Sequence, residues 1–297
     1  MKTLKIGIVG ASVTSCILAM YFKKKGYKVL LLEKGNKTGG AWQVDKFGSI
    51  FSNIISPISN LEKKNFKKII KFLKSFKIEF NRSPQKALFT KRIVNVQASD
   101  FRKLIYLAKK KLNIKYNYKV KNIKEKEKFV LVNNKIKFDY IFYPKNVYVS
   151  NINLIRKNKN FKINDKIESK MRSKHLRFFS YDLNLKNIMY NEEGIGPLDR
   201  LQIFNDKNNK KIVNGRIKMN WKNKTNKQIL NGIKKAFGIN KLVFPKFSYY
   251  HSERISKDNM VKLIENLSNS ERIIFINTNS ISEFVLNYFI KPKKFNL

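Results

Sequence analysis

Three short segments near the amino terminus carry the residue types that bind a diphosphate. Gly10-Ala11-Ser12-Val13-Thr14-Ser15 is a turn of small residues, Glu33 is a solitary acid, and Gly39-Gly40-Ala41-Trp42 is a second glycine turn. A glycine turn that opens a helix presents backbone N–H groups, and the positive end of the helix dipole, to phosphate oxygens. A carboxylate 23 residues after Gly10 is placed to accept hydrogen bonds from ribose hydroxyls. In the pattern Gly-x-Gly-x-x-Gly, the second glycine lets the backbone approach the pyrophosphate and the third lets the helix pack closely on the strand. Ser12 and Ser15 stand at those two positions. Ser12 brings a hydroxyl that can itself donate to phosphate, and Ser15 adds a small side chain at a packing contact, a cost of about 1 kcal/mol. Taken alone, the turn also fits an ordinary βαβ unit that holds no ligand.

The elements that must position these residues follow from periodicity. Lys5–Val9 is a β-branched run of strand length, Val13–Lys25 has helical spacing (Cys16, Ile17, Met20, Tyr21) closed by Gly26, and Lys28–Leu32 is a second strand ending at Glu33. Leu61–Phe80 reads as a basic amphipathic helix with Phe66, Ile69, Ile70, Leu73 and Phe76 on one face and Lys63, Lys67, Lys71 and Lys74 on the other. The pattern predicts a helix over Gln97–Leu112, then short strands at Ile114–Tyr118, 120–123, Phe129–Val132, Ile136 and Phe138–Tyr143. Leu176–Leu183, Leu201–Phe204, Lys211–Trp221 and Leu242–Tyr250 are strand-like, with a helix at Thr225–Phe237 between the last two. A helix at Lys257–Leu267, a strand at Arg272–Ile276 and a helix at Ser280–Ile290 end the chain.

Glu33-Lys34-Gly35-Asn36-Lys37-Thr38-Gly39-Gly40, following a strand–glycine turn–helix–strand, resembles the two-dinucleotide-binding flavoprotein superfamily, in the branch of amine oxidases, protoporphyrinogen oxidase, phytoene desaturases and UDP-galactopyranose mutase. There the segment contacts the FAD diphosphate. The helix–strand–meander–strand order of residues 97–143 is similar to the superfamily's second FAD segment, and the resemblance implies that the backbone of Val120 holds the adenine. The closing strand–turn–helix normally carries a Gly-Asp pair for the ribityl chain. Asn277 and Thr278 stand in its place, leaving Thr278, Asn279 and Ser280 as the implied contacts. The Asp-x-Gly-x-His segment common in the branch has no counterpart in Phe51–Pro57. Residues implied at the cofactor are therefore Gly10, Ala11, Ser12, Ser15, Glu33, Lys34, Gly39, Gly40, Ala41, Trp42, Val120, Thr278, Asn279 and Ser280.

The chain has 297 residues with 64 Lys plus Arg against 20 Asp plus Glu, a formal net charge of +44. Lysines make up 54 of those cations and arginines only 10, and the excess is spread over both halves. Base and phosphate recognition leans on Arg forks gathered in a patch, so no specific nucleic acid is expected. A field of this sign favours anionic substrates. No apolar run reaches the roughly 18–20 residues of a spanning helix, and the 61–80 helix is expected to pack on the core instead of lying on a membrane. One cysteine, Cys16, and two histidines, His175 and His251, exclude a disulfide scaffold and make a metal site implausible. With no leader pattern, the chain is expected in the cytoplasm. No catalytic acid, base or nucleophile is legible. Trp42, Tyr249, Tyr250 and His251 are candidates to line a flavin pocket.

These observations predict an α/β fold: a Rossmann-like FAD-binding domain from residues 1–55, 95–150 and 252–297, with an inserted antiparallel α+β substrate domain from 56–94 and 151–251. The resemblance implies an FAD-dependent oxidoreductase of the amine-oxidase-like type, removing a hydride from a small, anionic substrate. Two alternatives stand beside it: redox-neutral flavin chemistry on a nucleotide sugar, and a degenerate flavoprotein fold that binds or scaffolds without turnover.

Overall fold

The computed structural model describes residues 3–40, 53–55, 59–80, 85–89, 92–144, 152–156, 159–162, 167–181, 188–191, 193–205, 210–255, 270–276 and 280–291. Strand β1 (Lys5–Val9) lies between β2 (Lys28–Leu32) and the strand Tyr140–Pro144, and all three run parallel. Asn113–Lys115 extends the sheet beyond β2, and Ile273–Ile276 extends it beyond Tyr140–Pro144, again in parallel. A five-stranded parallel sheet results, assembled from four distant parts of the chain.

Both faces of this sheet are covered, as parallel sheets require. Helices α1 (Val13–Lys24), α2 (Asn60–Lys74) and α3 (Arg102–Lys111) form one core with Ile6, Ile8, Leu31 and Phe142. On the other face lies a second five-stranded sheet containing the meander Asn122–Glu125, Val130–Val132 and Ile136–Phe138. Its Ile123, Val130, Val132 and Phe138 pack against Val9, Leu32, Ile141 and Tyr143. Gly7 in β1 allows a close approach here: a Cβ would lie 3.0 Å from the Phe138 ring, which would have to shift by a few tenths of an ångström.

The third body is a nine-stranded sheet, mostly antiparallel, built on the hairpin-like pairing of Ile167–Ser180 with Lys211–Ile217 and with Val243–Ile255. Helix α4 (Asn226–Phe237) packs Ile229 and Ile233 against Leu176, Phe178, Leu201, Ile203 and Val213. Thr225 and Gln228 cap its start reciprocally, and Gly238, at φ 62°, ends it.

The structure corrects several sequence expectations. Arg92–Asp100 is a strand, so helix α3 starts only at Arg102 and not at Gln97. Pairing with Gln85–Phe89, Asn53–Ile55 and Glu79–Phe80 overrides the helical spacing. This strand belongs to the nine-stranded sheet. Asn153–Arg156 pairs in parallel with Asn122–Glu125 beside the meander. The 61–80 helix stops at Lys74, after which Lys77 adopts a positive φ of 63° and Glu79–Phe80 becomes a strand. The expected helix at Lys257–Leu267 lies outside the described residues.

Candidate diphosphate-binding site

Strands leave β1 in opposite directions: β2 on one side, Tyr140–Pro144 on the other. A crevice therefore opens at the carboxyl end of β1, the topological switch point where open α/β sheets bind ligands. Gly10 sits there with φ 83°, and its N–H donates to the Leu32 carbonyl at 2.8 Å, so the turn is held to the end of β2.

The two serines are accommodated by hydrogen bonding. Ser12 is the N-cap of α1, its Oγ accepting from the Ser15 N–H at 3.2 Å. The same oxygen lies 2.9 Å from Thr14 Oγ1 and 3.0 Å from Ser15 Oγ. Three hydroxyls thus cluster at the start of α1 where the fingerprint has glycines, and Ser15 is fully buried there. Cys16 is buried one residue further on. Burial, and secondarily the Glu33 charge, push its thiol up to about 12, which leaves it a protonated, inert core residue.

Glu33 is half-buried and clasps the turn. Its Oε2 accepts from the Ala11 N–H and its Oε1 from the Gly35 N–H, both at 2.7 Å. Each carboxylate oxygen has a second lone pair, so the group can still accept from ribose hydroxyls while it braces two loops. Lys34 is exposed. The second glycine turn closes on the first: the Gly39 N–H donates to the Ala11 carbonyl at 2.7 Å, and Ser12 and Gly39 form a parallel bridge. Gly39 and Gly40 have φ values of 109° and 56°, a conformation that favours glycine, and a Cβ on Gly40 would lie 3.5 Å from Ser12 Cα.

Val120 stands on the adjoining segment. Asn117 and Tyr118 donate their N–H groups to the carbonyls of Gly35 and Glu33 at 3.0 and 2.8 Å, which carries Val120 to the same end of the sheet. Its side chain is 5% exposed, and its own N–H and carbonyl form no hydrogen bond with the described residues.

Ser280 caps the last helix (Ile281–Val285, continued as a π-turn to Ile290), accepting from the Glu283 N–H at 3.0 Å. It also donates to Glu62 Oε1 at 3.2 Å, while Glu62 Oε2 accepts from the Ser59 N–H at 2.7 Å. The Glu62 carboxylate, 3% exposed, therefore joins the starts of two helices 218 residues apart. Sequence reading missed this residue, although Ser59-x-x-Glu62 has the spacing of a capping box. It also missed Tyr116, whose hydroxyl lies 2.5 Å from Thr38 Oγ1 and ties down the loop before Gly39.

Ala41, Trp42, Thr278 and Asn279, and the side chains of Tyr249, Tyr250 and His251, lie outside the described residues. His175 lies in the nine-stranded sheet, not in the parallel sheet that carries the crevice, and pairs across to Arg216. Burial, then the Arg216 charge, lower its pKa to about 4, so it is neutral near pH 7. Among the described residues no group of three His, Cys, Asp or Glu could hold a metal ion.

Residues 8–67 match the family model of the NAD(P)-binding Rossmann-like domain. A protein assigned as a protoporphyrinogen oxidase from Exiguobacterium sp. 255-15 superposes with a TM-score of 0.59 at 8% identity, covering 96% of this chain and 97% of that one. A double mutant of putrescine oxidase gives 0.58 at 9% identity over 96% and 97% of the two chains. The α-glycerophosphate oxidase of Mycoplasma pneumoniae, with FAD bound, gives 0.51 at 11% identity over 96% and 92%. The chain has the fold of the FAD-dependent, amine-oxidase-like oxidoreductases. No curated protein matches it in sequence. Within this flavoprotein fold the matched residues 8–67 take in the last two residues of β1, all of α1 and β2, Glu33 and both glycine turns. No helix among the described residues is long and apolar enough to cross a membrane.

Proposed function

We propose that the chain is an FAD-dependent oxidoreductase acting on a small, anionic substrate in the cytoplasm. The observation that carries this reading is the convergence of Gly10, Glu33, Gly39 and Val120, whose peptide is unbonded among the described residues, on one end of the parallel sheet. The donor set suits the group: first-turn N–H groups and hydroxyls for the diphosphate, a half-buried carboxylate for the ribose, an unbonded peptide edge for the adenine. Gly10, Ala11, Ser12, Ser15, Gly39 and Gly40 would hold the diphosphate, Glu33 the ribose and Val120 the adenine. Thr278, Asn279 and Ser280 are proposed for the flavin end, with Lys34, Ala41 and Trp42 along the approach.

When bound, FAD supplies the two-electron oxidation chemistry itself, which suits a chain whose sequence shows no acid–base pair. The protein's part is orientation: Glu33 braces the turn, Glu62 fixes the start of the last helix through Ser280, and the cationic surface draws in anions. Purified protein that is yellow, absorbing near ~450 nm, and that releases FAD on denaturation supports the reading. Colourless protein that takes up no added FAD favours the scaffold alternative, to which the engagement of the Ser12 hydroxyl by its own helix also points.

A further inference from the structure

A second concave site lies at one end of the nine-stranded sheet, on the strand Val243–Ile255. A cavity of about 440 Å³ is lined by Tyr181, Lys241, Leu242, Val243 and Phe244. Two aromatic side chains dominate it, Tyr181 at 67% and Phe244 at 70% exposure. Both line the cavity, yet their rings are not in contact with each other.

The backbone shows that the position of Phe244 is built in. Phe179 pairs with Val243 and Arg177 with Lys246, so three steps on one strand face two on the other, which is a β-bulge. Phe244 occupies the bulge with φ 47°, in the left-handed region that a bulky residue rarely enters, and it precedes Pro245, which restricts it further. In such bulges the left-handed position is ordinarily glycine, and bulges serve to re-aim a side chain. Here a large ring stands at an uphill backbone conformation and is exposed to solvent. The Lys210 ammonium sits 4.6 Å from the centre of the Tyr181 ring and 4.8 Å from that of Phe179, a contact that helps to hold Tyr181 in place. Lys241 supplies an exposed cation at the rim.

We infer that this cavity binds a nucleoside phosphate, its base entering between Tyr181 and Phe244 and its phosphate meeting Lys241. Two separated rings accept a flat π-system by stacking, whichever base it carries, and a lysine at the rim selects an anionic attachment. The site is separate from the crevice at Gly10 and does not rest on the FAD reading.

Calorimetric titration of the purified protein with AMP tests it, with adenosine, ribose 5-phosphate and a short single-stranded oligonucleotide as comparisons. AMP is expected to bind, adenosine more weakly, and ribose 5-phosphate not at all. Phe244→Gly places the residue the bulge prefers, so the variant should melt no lower than the parent while its AMP affinity falls about tenfold or more. Lys241→Gln should weaken AMP but leave adenosine unchanged. Glu33→Ala should leave AMP binding at this site intact. Undiminished AMP binding by Phe244→Gly overturns the assignment, and so does loss of AMP binding in Glu33→Ala, which would place the nucleotide in the crevice. An oligonucleotide that outbinds AMP would overturn the free nucleotide as occupant.

Discussion

Replacing Glu33 with alanine removes the acceptor of two backbone hydrogen bonds, from Ala11 and Gly35, each 2.7 Å long. Bonds to a charged group contribute ~1.5–3 kcal/mol apiece. Glu33 is half-buried, so the lower figure applies, and the pair together is worth ~3 kcal/mol. Unfolding entropy of ~2.1 cal/mol/K per residue converts that to a fall of ~5 °C in Tm for a chain of this size. The loss is local, because the turn at Gly10 keeps only its bond to Leu32 and the bridge to Gly39. Retention of FAD should therefore fall further than stability does. Glu33→Gln, which keeps one acceptor but turns an amide donor toward the other N–H, should lie between parent and alanine in both measures. Differential scanning calorimetry gives the first quantity, and the ratio of absorbance near ~450 nm to protein absorbance gives the second. A Glu33→Ala protein that melts within a degree of the parent and keeps its full flavin content would refute the reasoning.

Three further outcomes follow from the same geometry. Ser12→Ala should cost ~1 kcal/mol, measured by urea denaturation, while Ser12→Gly should cost only a few tenths, because glycine is itself an acceptable N-cap. His175, held near a pKa of about 4 by burial and by Arg216, contributes stability that is present above its unfolded value near 6.5 and is lost as pH falls toward 4. The lost contribution amounts to ~3 kcal/mol, and His175→Gln should flatten the acid limb of a Tm–pH curve. Cys16, raised to about 12, works in the opposite direction. Its contribution is complete below the unfolded thiol's range and is lost as pH rises from about 9 to about 12, so the native protein should resist thiol reagents at pH 8 until denaturant is added.

The first crossover was legible because its signals are local. β-branched residues at 6, 8 and 9, helical spacing from 13 to 22 and an acid after the second strand each lie within one element. The meander of 122–138 was legible for the same reason. Arg92–Asp100 was not, since what makes it a strand is three partners at 53–55, 79–80 and 85–89, and pairing of that kind has no signature in a single window. The site divides likewise. Glu33 and the glycine turns were singled out as candidates by spacing, and Val120 only by resemblance. Glu62 could not be foreseen as a brace, because Ser280 comes to it from the far end of the chain. Nor could Phe244, whose meaning lies in a backbone angle and a bulge that the letters Val-Phe-Pro do not disclose.

The parallel sheet has a consequence for biosynthesis. One of its outer strands, Ile273–Ile276, must reach Tyr140–Pro144 before that strand is paired on both sides. During translation at roughly 5–20 residues per second, the 140–144 edge waits for some 130 further residues, roughly 7–26 seconds, with its outer backbone groups bonded only to water. A chain truncated before residue 273 would keep 140–144 as an edge of the parallel sheet, the kind of edge that can template pairing with another chain.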